Sequence, residues 1–270
     1  MSKLYLQGCG TALVTPFRGG AVDYDAYTSC IVRQVEAGVD FLVPLATTGE
    51  TPTLSTEERL RLLDITRKYS GGLPLLVGCG TNSLQGTLDN IRLLGPHGAD
   101  AYLVVVPYYN KPTQEGQYRY FKTVSEAADK PVVIYNVPGR TGANMTADTA
   151  IRLAEDCPNI IGPKEASGNY QQVSEIIRRA PDGFSVLSGD DDMTFAFMAT
   201  GGQGVVSVAS NVAPSEVKAL TEAMLRGDFL KARELHHRLS PLFRNCFVES
   251  NPIPVKAAKD KGYSVIVLDG

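Results

Sequence analysis

Lys164 is the residue of this 270-residue chain whose setting most invites chemistry. It closes the apolar run Asn159-Ile160-Ile161-Gly162-Pro163, whereas the ten other lysines read as helix, loop or terminal surface charges. An amine carried inside a fold must lose its charge or find a partner. Desolvation lowers an ammonium pKa from about 10.4 toward neutrality, and the free amine is a nucleophile for carbonyls. Position alone leaves two readings: Schiff-base chemistry, or a buried ion pair with a carboxylate on a neighbouring strand. Period-2 alternation puts Gly162 on the same side as Lys164, leaving space beside the amine. Glu165 then points away and reads as structural.

A Schiff-base site also needs a group that moves protons. The three histidines offer none: His97 lies in a Gly/Pro loop, and His236 and His237 are adjacent on a late helix. Their spacing suits neither metal ligation nor a Ser-His-Asp triad. Tyrosine is the alternative. Tyr135 ends one apolar run, and Tyr108 and Tyr109 follow another. A lone tyrosine is more often a core aromatic with a satisfied hydroxyl, but three at the ends of adjacent runs strengthen the acid–base reading. Thr47 and Thr48 follow a third run and can relay protons or bind oxygen. Arg140 offers a two-pronged donor for a carboxylate, or a surface salt bridge. Asp190–Asp192 read as helix caps, not as a metal site.

These residues need elements to bring them together. Eight short apolar or β-branched runs recur: Ala12–Thr15, Phe41–Leu45, Pro74–Gly78, Ala101–Val106, Pro131–Tyr135, Ile160–Lys164, Phe184–Leu187 and Gly204–Val208. Each is apolar nearly throughout, as strands buried on both faces are. Amphipathic patterns lie between them. Tyr27, Ile31 and Val35 repeat every four residues before Gly38, and Ser55 with Glu58 forms a capping box. Further helices are expected over 113–128, 146–155, 170–179, 191–199, 214–225 and 229–239. The α/β alternation at about 30 residues per unit predicts a (β/α)8 TIM barrel with a short C-terminal helical extension. A doubly wound sheet would show a Gly-rich phosphate loop after its first strand, and none occurs. We expect one domain, with the barrel in 1–226 and a helix and tail packed on it in 227–270. In such a barrel the strand C-termini carry the site, and the candidates above all fall there.

Composition narrows the partners. Hydrophobic residues make up 43% and charged residues 20%, which excludes a largely disordered chain. A net charge of −3 argues against nucleic acid or an anionic membrane as partner. No apolar run is long enough to span a bilayer, and the opening MSKLYLQGCG carries no signal-like apolar segment. A cytoplasmic protein is therefore expected. Cys9, Cys30, Cys79, Cys157 and Cys246 are widely spaced and odd in number, so they read as buried thiols in a reducing compartment.

In combination the motifs resemble the dihydrodipicolinate synthase family, within the pyruvate-dependent class I aldolases. They are Gly10-Thr11-Ala12-Leu13-Val14-Thr15-Pro16-Phe17, Thr47-Thr48-Gly49-Glu50, Pro107-Tyr108-Tyr109-Asn110-Lys111-Pro112, Tyr135-Asn136-Val137-Pro138-Gly139-Arg140-Thr141-Gly142, Lys164-Glu165-Ala166-Ser167-Gly168 and Asn251-Pro252-Ile253-Pro254-Val255-Lys256. The resemblance implies condensation of pyruvate with L-aspartate 4-semialdehyde in the lysine/diaminopimelate route, with no cofactor and no metal. It implies that Lys164 forms the imine and Tyr135 moves the proton, with Thr47 and Tyr109 completing a relay. Tyr108 is implied to reach across a dimer interface. Thr48 and the Val206 backbone would hold the pyruvate carboxylate, and Arg140 that of the aldehyde. Gly189 falls with the substrate-binding residues. A homotetramer or homodimer is implied. A sister enzyme, such as N-acetylneuraminate lyase or a keto-deoxy sugar acid aldolase, and a non-catalytic keto-acid sensor are the alternatives. Pro138-Gly139-Arg140 and the Tyr108-Tyr109 pair favour the synthase.

Three positions depart from the family pattern: Ala46 stands for a glycine, Pro163 for an aliphatic residue, and the chain leaves the pattern after Ala258. The feedback site implied by the resemblance is also altered. Asn82 and Tyr108 match it, but Gly86 stands where regulated members carry glutamate, and Thr56 where they carry histidine. Losing a charge-assisted hydrogen bond costs about 1.5–3 kcal/mol, or about ten- to a hundredfold in affinity. The enzyme should therefore be insensitive or weakly sensitive to lysine. An inhibition titration checks this, and half-inhibition at sub-millimolar lysine would refute it.

Overall fold

The computed structural model describes residues 4–260. Eight parallel strands form one sheet: β1 (Gly8–Ala12), β2 (Phe41–Val43), β3 (Leu76–Gly78), β4 (Ala101–Val105), β5 (Val132–Asn136), β6 (Ile160–Glu165), β7 (Leu187–Ser188) and β8 (Gly204–Ser207). Neighbours along the sheet run β2-β1-β8-β7-β6-β5-β4-β3. The bridge between Leu42 and Leu75 joins the two ends and closes the barrel. Closure leaves no strand edge unpaired, so the apolar runs are covered on both faces.

Helices follow the strands: α1 (Tyr24–Glu36), α2 (Thr56–Tyr69), α3 (Leu84–Leu94), α4 (Gln114–Ala127), α5 (Ala147–Asp156), α6 (Tyr170–Arg179), α7 (Thr194–Ala199) and α8 (Pro214–Leu225). The capping box that opens α2 forms both bonds: Glu58 N–H donates to Ser55 Oγ at 3.2 Å, and Ser55 N–H to Glu58 Oε2 at 2.8 Å. The α3 helix is absent from the sequence expectations, because Gly86 dilutes its pattern. Its start is set by Ser83, whose Oγ accepts from Gly86 N–H.

The core has two layers. One lies between barrel and helices and includes Leu42, Leu62, Val104, Phe121 and Ile176. The other fills the barrel, where Leu6, Phe41, Leu76, Leu103, Val133, Ile161 and Val206 meet beneath Tyr135. Three expectations shift. The first strand is Gly8–Ala12, not Ala12–Thr15; its glycines hide it from a hydrophobicity reading. The seventh is Leu187–Ser188, because Phe184 N–H closes a turn onto Pro181 O. The C-terminal extension holds two helices, α9 (Phe229–Asn245) and α10 (Ile253–Asp260), where one helix and a tail were expected. The rest of that tail lies outside the described residues.

Gly162 has a different role from the one expected. A Cβ there would sit 1.8 Å from the Ser185 backbone oxygen of the adjacent segment. The glycine thus admits a close backbone approach, and does not make room for Lys164. Gly162→Ala must push these barrel segments apart. Overpacking of this kind costs about 1–3 kcal/mol or more, and the fall in stability is readable by chemical denaturation.

Candidate active site

Lys164 and Tyr135 are in register across β6 and β5. Lys164 is 4% exposed, with its Nζ 4.1 Å from the Tyr135 ring centroid. The described lysine ion pairs involve Lys130, Lys218, Lys231 and Lys256, and none involves Lys164. Glu165 does not neutralise it either. That carboxylate turns outward, accepting from Asn136 Nδ2, Ser167 N–H and Gln172 Nε2. Burial pushes its pKa up while these donors oppose the rise. The buried ion-pair reading of Lys164 therefore has no partner. Gly189 bounds the amine's stem: a Cβ there would lie 3.2 Å from Lys164 Cε and 2.7 Å from Ala166 Cβ.

Above the strands opens a cavity of about 460 Å³, lined among others by Thr47, Tyr108, Tyr135 and Arg140. None of the histidines lines it. Thr47 opens a helical turn, Thr47–Gly49, between Leu45 and Glu50, both with left-handed backbone (φ 57° and 52°). Thr15 Oγ1 pins that turn by donating to Gly49 O at 2.8 Å. Thr48 is buried and its Oγ1 accepts from Asn251 Nδ2 at 2.9 Å. Val206 is fully buried in β8, opposite Gly10 of β1. Arg140 is exposed at the rim, and its Nη2 donates to Asn251 O at 3.3 Å.

The two rim tyrosines diverge. Tyr108 lines the cavity of its own chain. Tyr109 is 87% exposed, with φ 71°, and is not among the cavity residues. Within one chain, then, the tyrosine expected in the relay stands away from Tyr135, and the one expected across an interface stands near it.

Asp191 also departs from the simple helix cap expected of it. It is 1% exposed and accepts from Ser207 Oγ at 2.5 Å and from the Val208 and Ala209 N–H groups at 2.9 Å each. It thereby ties down the turn after β8, two residues past Val206. The residues missed altogether are Arg59, Asn90, Asn251 and Pro252, which also line the cavity. Arg59 looks like a helix-surface residue in the sequence, and Asn90 lies in α3, which the sequence did not disclose. Asn251 carried a motif but no assigned role.

Fold and site together define a (β/α)8 barrel enzyme of the class I aldolase type, a lyase. The family model described as the dihydrodipicolinate synthetase family matches residues 5–265, and the chain belongs to that family. The match runs past Ala258, where the departure was expected. The chain is 47% identical over 256 residues to a 4-hydroxy-tetrahydrodipicolinate synthase of Thermotoga neapolitana, covering 93% of this chain and 87% of that one. It is 49% identical over 255 residues to a Koribacter versatilis protein of the same name, covering 93% and 85%. The crystal structure of dihydrodipicolinate synthase from Thermotoga maritima superposes with a TM-score of 0.94 at 45% identity, covering 96% and 89%. A similar structure, TM-score 0.93 and 45% identity over 94% and 86%, is of a monomeric dihydrodipicolinate synthase variant.

Burial pushes the Asp191 pKa up to about 6, against the pull of its three donors. An unfolded aspartate ionises near 3.9. The folded value is the higher one, so the contribution to stability is full below about pH 4 and is lost as pH rises through about 6. Thermal melts of the wild type and Asp191→Asn across that window should differ in slope, the wild type losing stability relative to the variant. Parallel curves would show that Asp191 ionises normally.

Proposed function

We propose that this chain condenses pyruvate with L-aspartate 4-semialdehyde to 4-hydroxy-tetrahydrodipicolinate, as the names of its relatives suggest. The observation that carries the proposal is Lys164, buried with no carboxylate partner among the described residues and 4.1 Å from the Tyr135 ring centroid. The Lys164 amine attacks the pyruvate keto carbon. Tyr135 gives and takes the protons of carbinolamine formation and dehydration. The protonated imine acidifies the adjacent methyl group, which gives up a proton to Tyr135 and leaves an enamine. The enamine carbon attacks the aldehyde, and the product amino group displaces Lys164.

Thr48 and the Val206 backbone hold the pyruvate carboxylate, and Gly189 leaves the imine carbon accessible. Arg140 receives the aldehyde's carboxylate at the rim. Thr47 passes protons from Tyr135. Tyr109, exposed as it is, joins the relay only in the site of a second subunit, while Tyr108 serves the rim of its own. A homodimer or homotetramer is the assembly this requires. We place the enzyme in the cytoplasm; among the described residues no helix is long and apolar enough to cross a membrane. The relatives' names favour this activity over that of the sister aldolases, and the unpaired amine beside Tyr135 favours an enzyme over a sensor.

Borohydride added with pyruvate should leave one pyruvyl group per chain, on Lys164, by peptide mass mapping. Lys164→Arg should lose both labelling and turnover, because a guanidinium stays protonated. Tyr135→Phe should lower kcat by about 10²- to 10⁴-fold, the usual contribution of an acid–base group. Labelling at another lysine, or a Tyr135→Phe loss below about tenfold, would sink this division of labour.

A further inference from the structure

Asn136 and Glu165 close β5 and β6 and pair directly, one position beyond the pair of Tyr135 and Lys164. They lie on the other face of the sheet. Along β5, Val133 and Tyr135 enter the barrel, whereas Val132 and Ile134 belong to the layer beneath the helices. Asn136 continues that outer set. The layer is apolar, yet here it holds an amide and a carboxylate, each 1% exposed. Asn136 Nδ2 donates to both Glu165 oxygens, at 3.1 and 3.0 Å. The carboxylate also accepts from Ser167 N–H at 2.9 Å and from Gln172 Nε2 at 3.3 Å, so these partners are all uncharged. A buried carboxylate held by neutral donors is a poor source of stability, and apolar side chains would fill the layer at lower cost.

The place of the pair in the sheet gives it another task. Val132 pairs with Ile160, but Val133 pairs with Gly162, so Ile161 is an extra residue in β6 and the ladder shifts there. Past the shift only four paired positions remain on β5. On its other side β6 meets β7 at two positions, Lys164 with Leu187 and Glu165 with Ser188, and Pro163 brings no N–H to either ladder. So short a continuation specifies its register weakly through the backbone alone. A slip of one residue turns every side chain to the opposite face. It would carry Lys164 out of the barrel and Glu165 into it.

We propose that Asn136 and Glu165 are positioning residues that fix the register of β6 on β5 and so hold the Lys164 amine opposite Tyr135. The inference rests on the function proposed above, in which that juxtaposition performs the chemistry. Amide and carboxylate meet only in the observed register. A slip would part them and leave a carboxylate inside an apolar barrel without its donors. Asn136 is in turn held from behind: its Oδ1 accepts from Met145 N–H at 3.0 Å, and its Nδ2 also donates to Asn144 Oδ1 at 2.9 Å. The clamp is thereby anchored in the loop before α5.

The test compares Asn136→Ala with Gln172→Ala. Each takes one donor from Glu165, but only Asn136 reaches it from the neighbouring strand. Asn136→Ala should lower kcat by about 10²-fold, the usual effect of a misplacement of about 1 Å. Gln172→Ala should keep kcat near the wild-type value, even where both variants lose similar stability to denaturant. Glu165→Gln preserves an oxygen for Asn136 Nδ2 and should retain most of the kcat that Glu165→Ala loses. This second pair decides the matter should Asn136→Ala fail to fold. A crystal structure of Asn136→Ala gives the direct reading, with Lys164 no longer opposite Tyr135. Equal kcat losses in Asn136→Ala and Gln172→Ala, equal losses in Glu165→Gln and Glu165→Ala, or an unchanged register in Asn136→Ala would overturn the proposal. Borohydride trapping of pyruvate on wild-type Lys164 is read separately. Its failure strikes the proposed function, whereas an unchanged register with trapping intact strikes only the clamp.

Discussion

The desolvation of Lys164 is the constraint on which the rest of the structure depends. An ammonium enters a barrel only if charge or shape makes up for lost water. Here the shape is supplied and the countercharge is withheld. Gly189 is trimmed to hydrogen where the amine's stem passes, and the Tyr135 ring covers its tip. The nearest carboxylate in sequence, Glu165, is held outward by three donors of its own. Had it pointed inward, an ion pair would have occupied the Lys164 amine.

A reactive amine also needs loops that stay where they are put. The strands end in a ring, but Thr47, Thr48 and Arg140 lie four or five residues beyond the ends of theirs. Each loop is secured by a buried side chain from elsewhere in the chain. Thr15 holds the Thr47–Gly49 turn, Asp191 holds the turn after Val206, and Asn251 joins Thr48 to Arg140. Preorganised donors need not rearrange during a reaction, which is where much of an enzyme's electrostatic advantage lies. The α10 helix contributes in the same way, since its Lys256 pairs with Glu50 at the cavity wall. The C-terminal extension is therefore a component of the roof of the site.

The sequence disclosed the barrel through long apolar runs, because strands buried on both faces leave that signature whatever their function. It disclosed Lys164 by contrast, as a charge closing such a run. It misplaced the first strand, since Gly8 and Gly10 carry no hydrophobic signal although their backbones pair with β8. It also misread Gly162, whose neighbour Ser185 is more than twenty positions away. Asp191 looked like a local cap because aspartate at a strand-to-helix turn usually is one. Its partners, Ser207 to Ala209, are brought to it only by the pairing of β7 with β8. What depends on local pattern was legible, and what depends on strand register was not.

Asn251 shows where such reading stops. An asparagine in a Pro-rich loop ordinarily reads as turn chemistry. Its importance comes from the two segments it joins, a property of the assembled fold. The closure of the barrel makes the property possible. Thr48 follows β2, Arg140 follows β5, and the loop before α10 crosses between them. Three segments far apart in sequence thus meet at one residue. Its side chain holds the Thr48 hydroxyl and its backbone holds the Arg140 guanidinium, so one loop residue ties together two walls of the cavity that strand pairing alone leaves apart.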